Sequence, residues 1–109
     1  LLLYRAVYNL VENAIKYSFR GYEGEHRLVI EVSKAEEQLH IIIANNGQHI
    51  ETDRLKDLNA GKEIKNHFGI SNVRKRLQLY YGEDAVIYFE NVSPSGVKVH
   101  LFVPLQEEE

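Results

Sequence analysis

The stretch NLVENAIKYS, residues 9–18, lies in the helix that decides how this sequence folds. Apolar residues before and within it recur at helical spacing, so that Leu3, Ala6 and Leu10 share one face of a helix predicted over residues 2–18. The opposite face carries two asparagines and a lysine at intervals of four and three, instead of the mixture of Glu and Lys that is typical of a solvated face. This pattern indicates a role beyond scaffolding.

Outward from this helix, the sequence predicts four strands. Alternating apolar residues predict strands over 27–33 and 38–44, each with one face in the core, and a second pair over 85–91 and 97–103. The last strand has a period-two row of apolar residues from Val97 to Val103. We expect each pair to form a hairpin, because the connection between its strands is short and polar.

Two further helices separate the strand pairs. A short helix is predicted to begin with Thr52 or Asp53 as its cap and to end near Asn59, and a longer one to run from Gly69 until Gly82 ends it. The apolar stripe of the longer helix consists of Ile70, Val73, Leu77 and Tyr80. This order of elements predicts an α+β fold, a two-layer sandwich with a mixed sheet and helices on one face, and argues against a doubly wound sheet.

Composition limits the possible functions. The chain has 109 residues, of which 44% are hydrophobic and 27% charged, and these values are typical of one globular domain. Thirteen basic and sixteen acidic residues give a net charge of -3, which argues against nucleic acid as a partner. The sequence has no cysteine, which excludes disulfides and thiolate metal sites, and it does not begin with Met. We therefore expect a single domain over 1–109, excised from a longer protein, with a solvated tail over 104–109.

Three separate segments carry side chains suited to an anionic ligand held with a metal: residues 9–18, residues 45–50 (NNGQHI) and residues 68–77 (FGISNVRKRL). An asparagine oxygen can complete an octahedral Mg²⁺ shell whose other ligands are phosphate oxygens and water. Lys16 places a positive charge near the same phosphates, and Gly69 opens a helix whose N-terminal amides favour an anion.

Each of these features also has a plainer interpretation. A solitary asparagine in a helix is usually a surface residue, and Asn-Gly after a strand is usually only a turn. The basic run Arg74 to Arg76 is usual for an exposed helix face. The argument for a site therefore depends on the three segments occurring together, and the five histidines show no metal-ligand spacing.

Taken together, the segments resemble the ATP-binding catalytic domain of sensor histidine kinases, within the superfamily that includes DNA gyrase and the mismatch-repair ATPases. Residues 9–18 are similar to the N box of that family, residues 45–50 to its G1 box, and residues 68–77 to its G2 box. The run from Asn72 to Gly82 is especially similar to LytS-like and YesM-like sensors. The resemblance covers nearly the whole chain.

The resemblance implies a role for specific residues. Asn13 would be the Mg²⁺ ligand, and Asn9, near the γ-phosphate or the metal, would be catalytic together with Glu12. Lys16 and Tyr17 would contact phosphate and the wall of the nucleotide site. The remaining ATP-binding residues implied by the resemblance are Asn45, Gly47, Ile50, Gly69 and Ile70, with Gly47 keeping the floor of the base pocket open and Gly69 letting the backbone approach the phosphates.

The resemblance also implies an activity and partners. The domain would bind Mg-ATP under a lid over residues 60–67 and present the γ-phosphate to a histidine on its own separate dimerisation domain, with a response regulator downstream. It would be the catalytic part of a protein-histidine kinase, lacking the phosphoacceptor domain. The parent protein would be a membrane-bound homodimer, and this domain would be cytoplasmic in a membrane-anchored bacterial sensor.

The sequence departs from the family pattern at three positions. Asn45 stands where the G1 box has an aspartate that accepts a hydrogen bond from the adenine amino group, and its carbonyl oxygen is expected to accept that bond without the help of a charge. His49 replaces the second G1 glycine and His67 the first G2 glycine, and either imidazole could crowd the nucleotide or instead stack and hydrogen-bond with it. The alternative function is a scaffold or interaction module of the same fold with a weak nucleotide site.

Overall fold

The computed structural model describes residues 2–61 and 68–105, except for side-chain positions at 68 and 69. Helix α1 continues directly into a π-helical turn. A first hairpin of two strands, two further helices and a second hairpin of two strands then follow along the chain. The elements are α1 Leu2–Asn13, the π turn Ala14–Ser18, β1 Leu28–Ala35, β2 Gln38–Asn45, α2 Thr52–Asn59, α3 Phe68–Tyr81, β3 Val86–Asn91 and β4 Val97–Pro104.

The four described strands form one sheet in the order β1-β2-β4-β3. All three pairings are antiparallel, because each hairpin pairs its own strands and β2 meets β4 in the opposite direction. The predicted α+β two-layer sandwich is confirmed, whereas the described strands form an antiparallel sheet and not the mixed sheet expected from the sequence.

The core lies between β2, β4 and β3 on one side and the helices on the other. The predicted row on β4 is confirmed: its four apolar residues from Val97 to Val103 are buried, and Leu101 has no exposed surface. Leu10 of α1 and Leu77 of α3 pack into the same cluster. Burying a side chain of this size contributes about 1.5–3 kcal/mol, so this cluster is the main stabilising element.

Strand β1 differs from the prediction. Ile30 and Val32 were expected in the core, yet Val32 is 61% exposed. They pair with the buried Ile43 and Ile41 of β2 and point to the same side of the sheet. Leu28, at the start of the strand, packs against the core, whereas Ile30 and Val32 of this edge strand remain exposed.

The two later helices differ from the prediction in two details and agree with it in a third. Helix α2 begins at Thr52 after Glu51, so neither Thr52 nor Asp53 is its cap. In α3, Tyr80 of the predicted apolar stripe is 60% exposed, while Tyr81 packs against the core. Gly82 ends α3 as predicted, with φ at 83° and its amide bonded to the Gln78 carbonyl.

The boundaries of the predicted lid and tail are only partly described. Ala60 and Gly61 form a turn after α2, and residues 62–67 of the predicted lid lie outside the described residues. At the other end Pro104 still pairs with Gln38, and the Leu105 amide donates to the Glu37 carbonyl. The tail therefore does not begin at 104, and residues 106–109 lie outside the description.

Candidate functional site

A cavity of about 310 Å³ lies between the helices and the sheet. Its floor is apolar and its rim is mostly polar, an arrangement that suits a flat apolar base with a charged group at one end. The floor consists of Leu10, Ala14, Leu58, Ile70, Phe89, Val97 and Val99. The rim consists of Asn13, Tyr17, Ser18, Arg20, Asn45, Gln48, His49, Ile50, Glu51 and Arg54.

The first helix changes its hydrogen bonding where it meets this cavity. The Phe19 amide bonds to the Ala14 carbonyl five residues earlier, which widens the helix into the π turn. The turn places Tyr17 and Ser18 on the cavity rim. A helix predicted without interruption over residues 2–18 thus contains a local distortion at the site.

The side chains of Asn13 and Asn9 line two different spaces. Asn13 lines the cavity, and its Nδ2 donates to the Asn9 carbonyl at 2.9 Å, so its Oδ1 is the atom suited to a cation. Asn9 instead lines a small cleft of about 30 Å³ between α1 and α3, beside Arg5 and Arg76. The two predicted residues are one helical turn apart but face different spaces.

Two other predicted residues of the first helix lie outside the cavity lining. Glu12 is exposed on α1. Lys16 is also exposed, with Nζ 5.7 Å from the centre of the Tyr17 ring, close enough for a weak cation–π contact. Both side chains are therefore available to a ligand that extends beyond the cavity rim.

Asn45, like Ser18, is a buried polar residue of the cavity lining, with only 7% of its surface exposed. Its Oδ1 accepts a hydrogen bond from the Gly47 amide at 2.9 Å, and its Nδ2 donates to Ser18 Oγ at 3.2 Å. The resemblance to the G1 box implies that this oxygen accepts a hydrogen bond from the adenine amino group. The structure instead uses that oxygen to form the turn and directs the nitrogen to Ser18.

Gly47 is required by a close approach between two backbones. A Cβ at this position would overlap the Ser18 carbonyl and press on the Phe19 ring. The Gln48 amide donates to that same carbonyl at 2.8 Å. Gly47 is outside the cavity lining. The need for glycine at this position is therefore explained by the packing of the end of β2 on the first helix, and not by an open pocket floor.

His49 lines the rim but is exposed, and its Nε2 is 2.6 Å from the Val92 carbonyl in the connection between β3 and β4. The sequence left two outcomes open for this imidazole, crowding the nucleotide or stacking and hydrogen-bonding with it, whereas the structure shows a contact with the protein's own backbone. His67 lies outside the described residues. On the G2 side, Gly69 is in the first turn of α3, directly before the buried Ile70 of the cavity floor.

Two asparagines that the sequence analysis missed hold the cavity wall in place. Asn59 at the end of α2 accepts from the Phe89 amide at 2.7 Å and donates to the Phe89 carbonyl at 2.9 Å. Asn91 makes the same pair of bonds with the backbone of Ile50, both at 2.8 Å. Only their positions at element ends, where asparagine is favoured, could have indicated this role.

The arginines near the cavity have two different roles: one bonds to the backbone of a strand, and two lie on the cavity rim. Arg74, the first residue of the basic run on α3, is not on a fully exposed face: its Nη2 donates to the Ile87 carbonyl at 3.0 Å, and burial lowers the pKa of its guanidinium. Arg20 and Arg54 are exposed on the cavity rim, which makes them the described arginines best placed to meet an anion there.

Comparison with known proteins identifies a family model, described as histidine kinase-, DNA gyrase B-, and HSP90-like ATPase, that matches residues 1–107. The chain is 29% identical to the sensor protein LytS of Enterococcus faecalis over 107 residues, 95% of this chain and 18% of that protein. It is 27% identical to the sensor histidine kinase YpdA of Escherichia coli over 97 residues, 89% of this chain and 17% of that protein. The chain thus spans less than a fifth of these relatives.

Solved structures agree on the fold. The catalytic domain of histidine kinase ThkA superposes with a TM-score of 0.76 at 22% identity, covering 98% of this chain and 68% of that one. The Acinetobacter baumannii histidine kinase AdeS superposes with a TM-score of 0.71 at 19% identity, covering 97% of this chain and 47% of that one.

Among residues 2–61 and 68–105, no helix is long and apolar enough to cross a bilayer.

Proposed function

Because the chain belongs to the family of histidine kinase-, DNA gyrase B- and HSP90-like ATPases, we propose that it binds a nucleoside triphosphate with Mg²⁺ in the cavity beside Asn13. In the longer protein it would present the γ-phosphate to a histidine of a separate dimerisation domain. The observation that carries this proposal is one cavity with an apolar floor, a buried amide at Asn45 and the Asn13 amide on its rim.

The donor set at Asn13 is suited to Mg²⁺. Its amide nitrogen is bonded within the helix, which presents the neutral oxygen that this ion accepts alongside phosphate oxygens and water. The ion would neutralise charge on the transferred phosphoryl group. Asn13 would hold it, while Lys16, Tyr17 and the α3 backbone at Gly69 would bind the phosphates and orient them.

Most of the catalytic effect would then come from positioning. A γ-phosphate held in line with an incoming imidazole needs no covalent participation by this chain. We assign supporting catalytic roles to Asn9 and Glu12, which lie within one turn of Asn13 on α1. Residues 60–67 would close over the ligand as a lid, and Ile50 and Ile70 would contact the base.

The partners follow from the same assignment. The phosphoacceptor would be the chain's own dimerisation domain in a membrane-anchored homodimeric sensor, with this domain on the cytoplasmic side, and a response regulator would receive the phosphoryl group. ThkA, one of the structural neighbours, has been solved in complex with the response regulator TrrA, which supports a two-component partner of this class.

Calorimetry with the 109-residue chain tests the proposal. Nucleoside triphosphates are titrated with and without Mg²⁺, and we expect Mg²⁺ to tighten binding at least about tenfold. In Asn13→Ala this Mg²⁺ effect should disappear, because the metal loses its protein ligand, whereas Asn72→Ala on the exposed side of α3 should retain it. Folded protein that gives no heat at about 1 mM nucleotide would refute nucleotide binding and favour the scaffold alternative.

A further inference from the structure

The orientation of the Asn45 amide is determined by its neighbour. The backbone N–H of Gly47 can only donate a hydrogen bond, so the Asn45 atom 2.9 Å from it must be the oxygen. The Nδ2 group therefore lies on the opposite side of the amide, toward Ser18 and the cavity that both residues line. The amide cannot turn over without setting its own NH₂ group against the Gly47 N–H.

One hydrogen of this amide remains for a ligand. Nδ2 carries two hydrogens, and one of them is donated to Ser18 Oγ. Within the part of the chain that the structure describes, the second has no acceptor, although Asn45 is more than nine-tenths buried. A buried donor without a partner is unfavourable, so a ligand that brings an acceptor to this point is favoured over one that brings a donor.

We propose that Asn45 selects a 6-oxopurine nucleotide over an adenine nucleotide, an inference that rests on the proposed function. A 6-oxopurine presents an acceptor, O6, next to a donor, N1–H. Asn45 supplies the matching donor, and the Ser18 hydroxyl, which can accept or donate, can accept from N1–H. Adenine reverses both groups, because its 6-amino group donates and its N1 accepts, so its amino group would meet the Asn45 NH₂ group.

Hypoxanthine and guanine share this 6-oxo edge and differ only in the 2-amino group. Inosine triphosphate differs from ATP at the 6-position and in the N1 proton, which makes it the matched probe for Asn45. GTP then distinguishes guanine from hypoxanthine as the base. An aspartate at position 45 would keep the bond from the Gly47 amide and replace the NH₂ group by an acceptor, so it should reverse the preference.

The experiment measures the dissociation constants of ITP, GTP and ATP with Mg²⁺ for the wild-type chain, Asn45→Asp and Asn46→Asp. In the wild type we expect ITP to bind at least about threefold more tightly than ATP, and in Asn45→Asp we expect ATP to bind more tightly than ITP. Asn46→Asp adds the same charge one residue away, outside the cavity lining, and should keep the wild-type preference.

The outcomes separate this inference from the proposed function. Nucleotide binding with a smaller preference for ITP, or with a preference for ATP, overturns the base selection and leaves the nucleotide site intact. A wild-type preference that persists in Asn45→Asp also overturns it, because Asn45 would not be the residue that reads the base. If no nucleotide binds, the proposed function fails, and the inference fails with it. The wild-type ratio decides the matter even if the variant does not fold.

Discussion

Gly47 illustrates how one residue joins two motifs that are distant in sequence. It lies between Asn45, whose side-chain oxygen accepts from its amide, and the carbonyl of Ser18, which occupies the space of a Cβ. The end of β2 and the end of the first helix are therefore in direct backbone contact. The buried amide of the cavity depends on this contact for its orientation.

Gly47→Ala should destabilise the fold by about 1–3 kcal/mol, because the added methyl group forces the Ser18 backbone to move. Urea denaturation measures the change. Gly24→Ala is the matched control, since its new methyl group would meet only the side chain of Tyr22, which can turn away. Equal stability of Gly47→Ala and wild type would show that the two backbones are not in close contact.

At the scale of elements, β3 is an edge strand whose free side is covered by side chains. Asn59 pairs with both backbone groups of Phe89, and Arg74 caps the Ile87 carbonyl. These bonds take the place of a neighbouring strand, which satisfies the buried backbone and blocks pairing with another chain. They also attach α2 and α3 to the strand that carries Phe89 into the cavity floor.

Asn59→Ala should cost about 1–3 kcal/mol of unfolding free energy, because it leaves a half-buried amide and carbonyl of Phe89 without partners. Thermal or urea unfolding measures it. Asn72→Ala removes an asparagine from an exposed helical position and should change stability by less than about 0.5 kcal/mol. A similar effect of the two substitutions would contradict the assigned role of Asn59.

The outer face of the sheet carries a hydrogen-bonded row of side chains that ends at His40. Glu90 is 2.8 Å from His100, which is 3.0 Å from His40, and Tyr88 stacks on His100. Burial, and second the neighbouring His100, lower the pKa of His40 below its ordinary value of 6.5. Below that value the unfolded chain binds a proton that the folded chain resists, so folding stability falls as the pH is lowered.

His40→Gln should reduce the loss of stability between about pH 7.5 and about pH 5.5, because glutamine can keep a hydrogen bond to His100 without titrating. Urea midpoints at the two pH values provide the measurement. His26→Gln, at an exposed histidine outside this row, should keep the wild-type dependence. The explanation fails if His40→Gln and wild type lose equal stability.

For the molecule as a whole, stability is concentrated in the centre of the sheet. Strands β2 and β4 contribute Ile41, Ile43 and Leu101 to the buried cluster, whereas β1 is paired on one edge and exposed on both faces. The hairpin of β1 and β2 therefore joins a well-packed strand to one held chiefly by its backbone bonds.

Amide hydrogen exchange should accordingly be slowest in β4 and faster in β1. Substitutions should show the same gradient: Ile43→Ala is expected to cost about 2–5 kcal/mol, and Val32→Ala, which removes an exposed side chain, less than about 1 kcal/mol. Comparable protection of β1 and β4 in the isolated chain would contradict this distribution.

The element order, the helical and strand periods, and the three polar segments were all predictable from the sequence, because each depends on residues close together along the chain. The buried row on β4 follows from period two alone, and Gly82 as a helix end follows from the conformational freedom of glycine. Asn13, Tyr17 and Asn45 lie on the rim of one cavity, with Ile70 on its floor, as expected of a single site.

Tertiary structure decided which of these patterns are used, because burial and pairing depend on neighbours distant in sequence. The apolar row of β1 has the pattern of a core row, but its residues Ile30 and Val32 are exposed. The oxygen of Asn45 faces Gly47, and the charge of Arg74 is held at the Ile87 carbonyl. A local pattern specifies what a side chain can do, and only the packed neighbours determine which partner it meets.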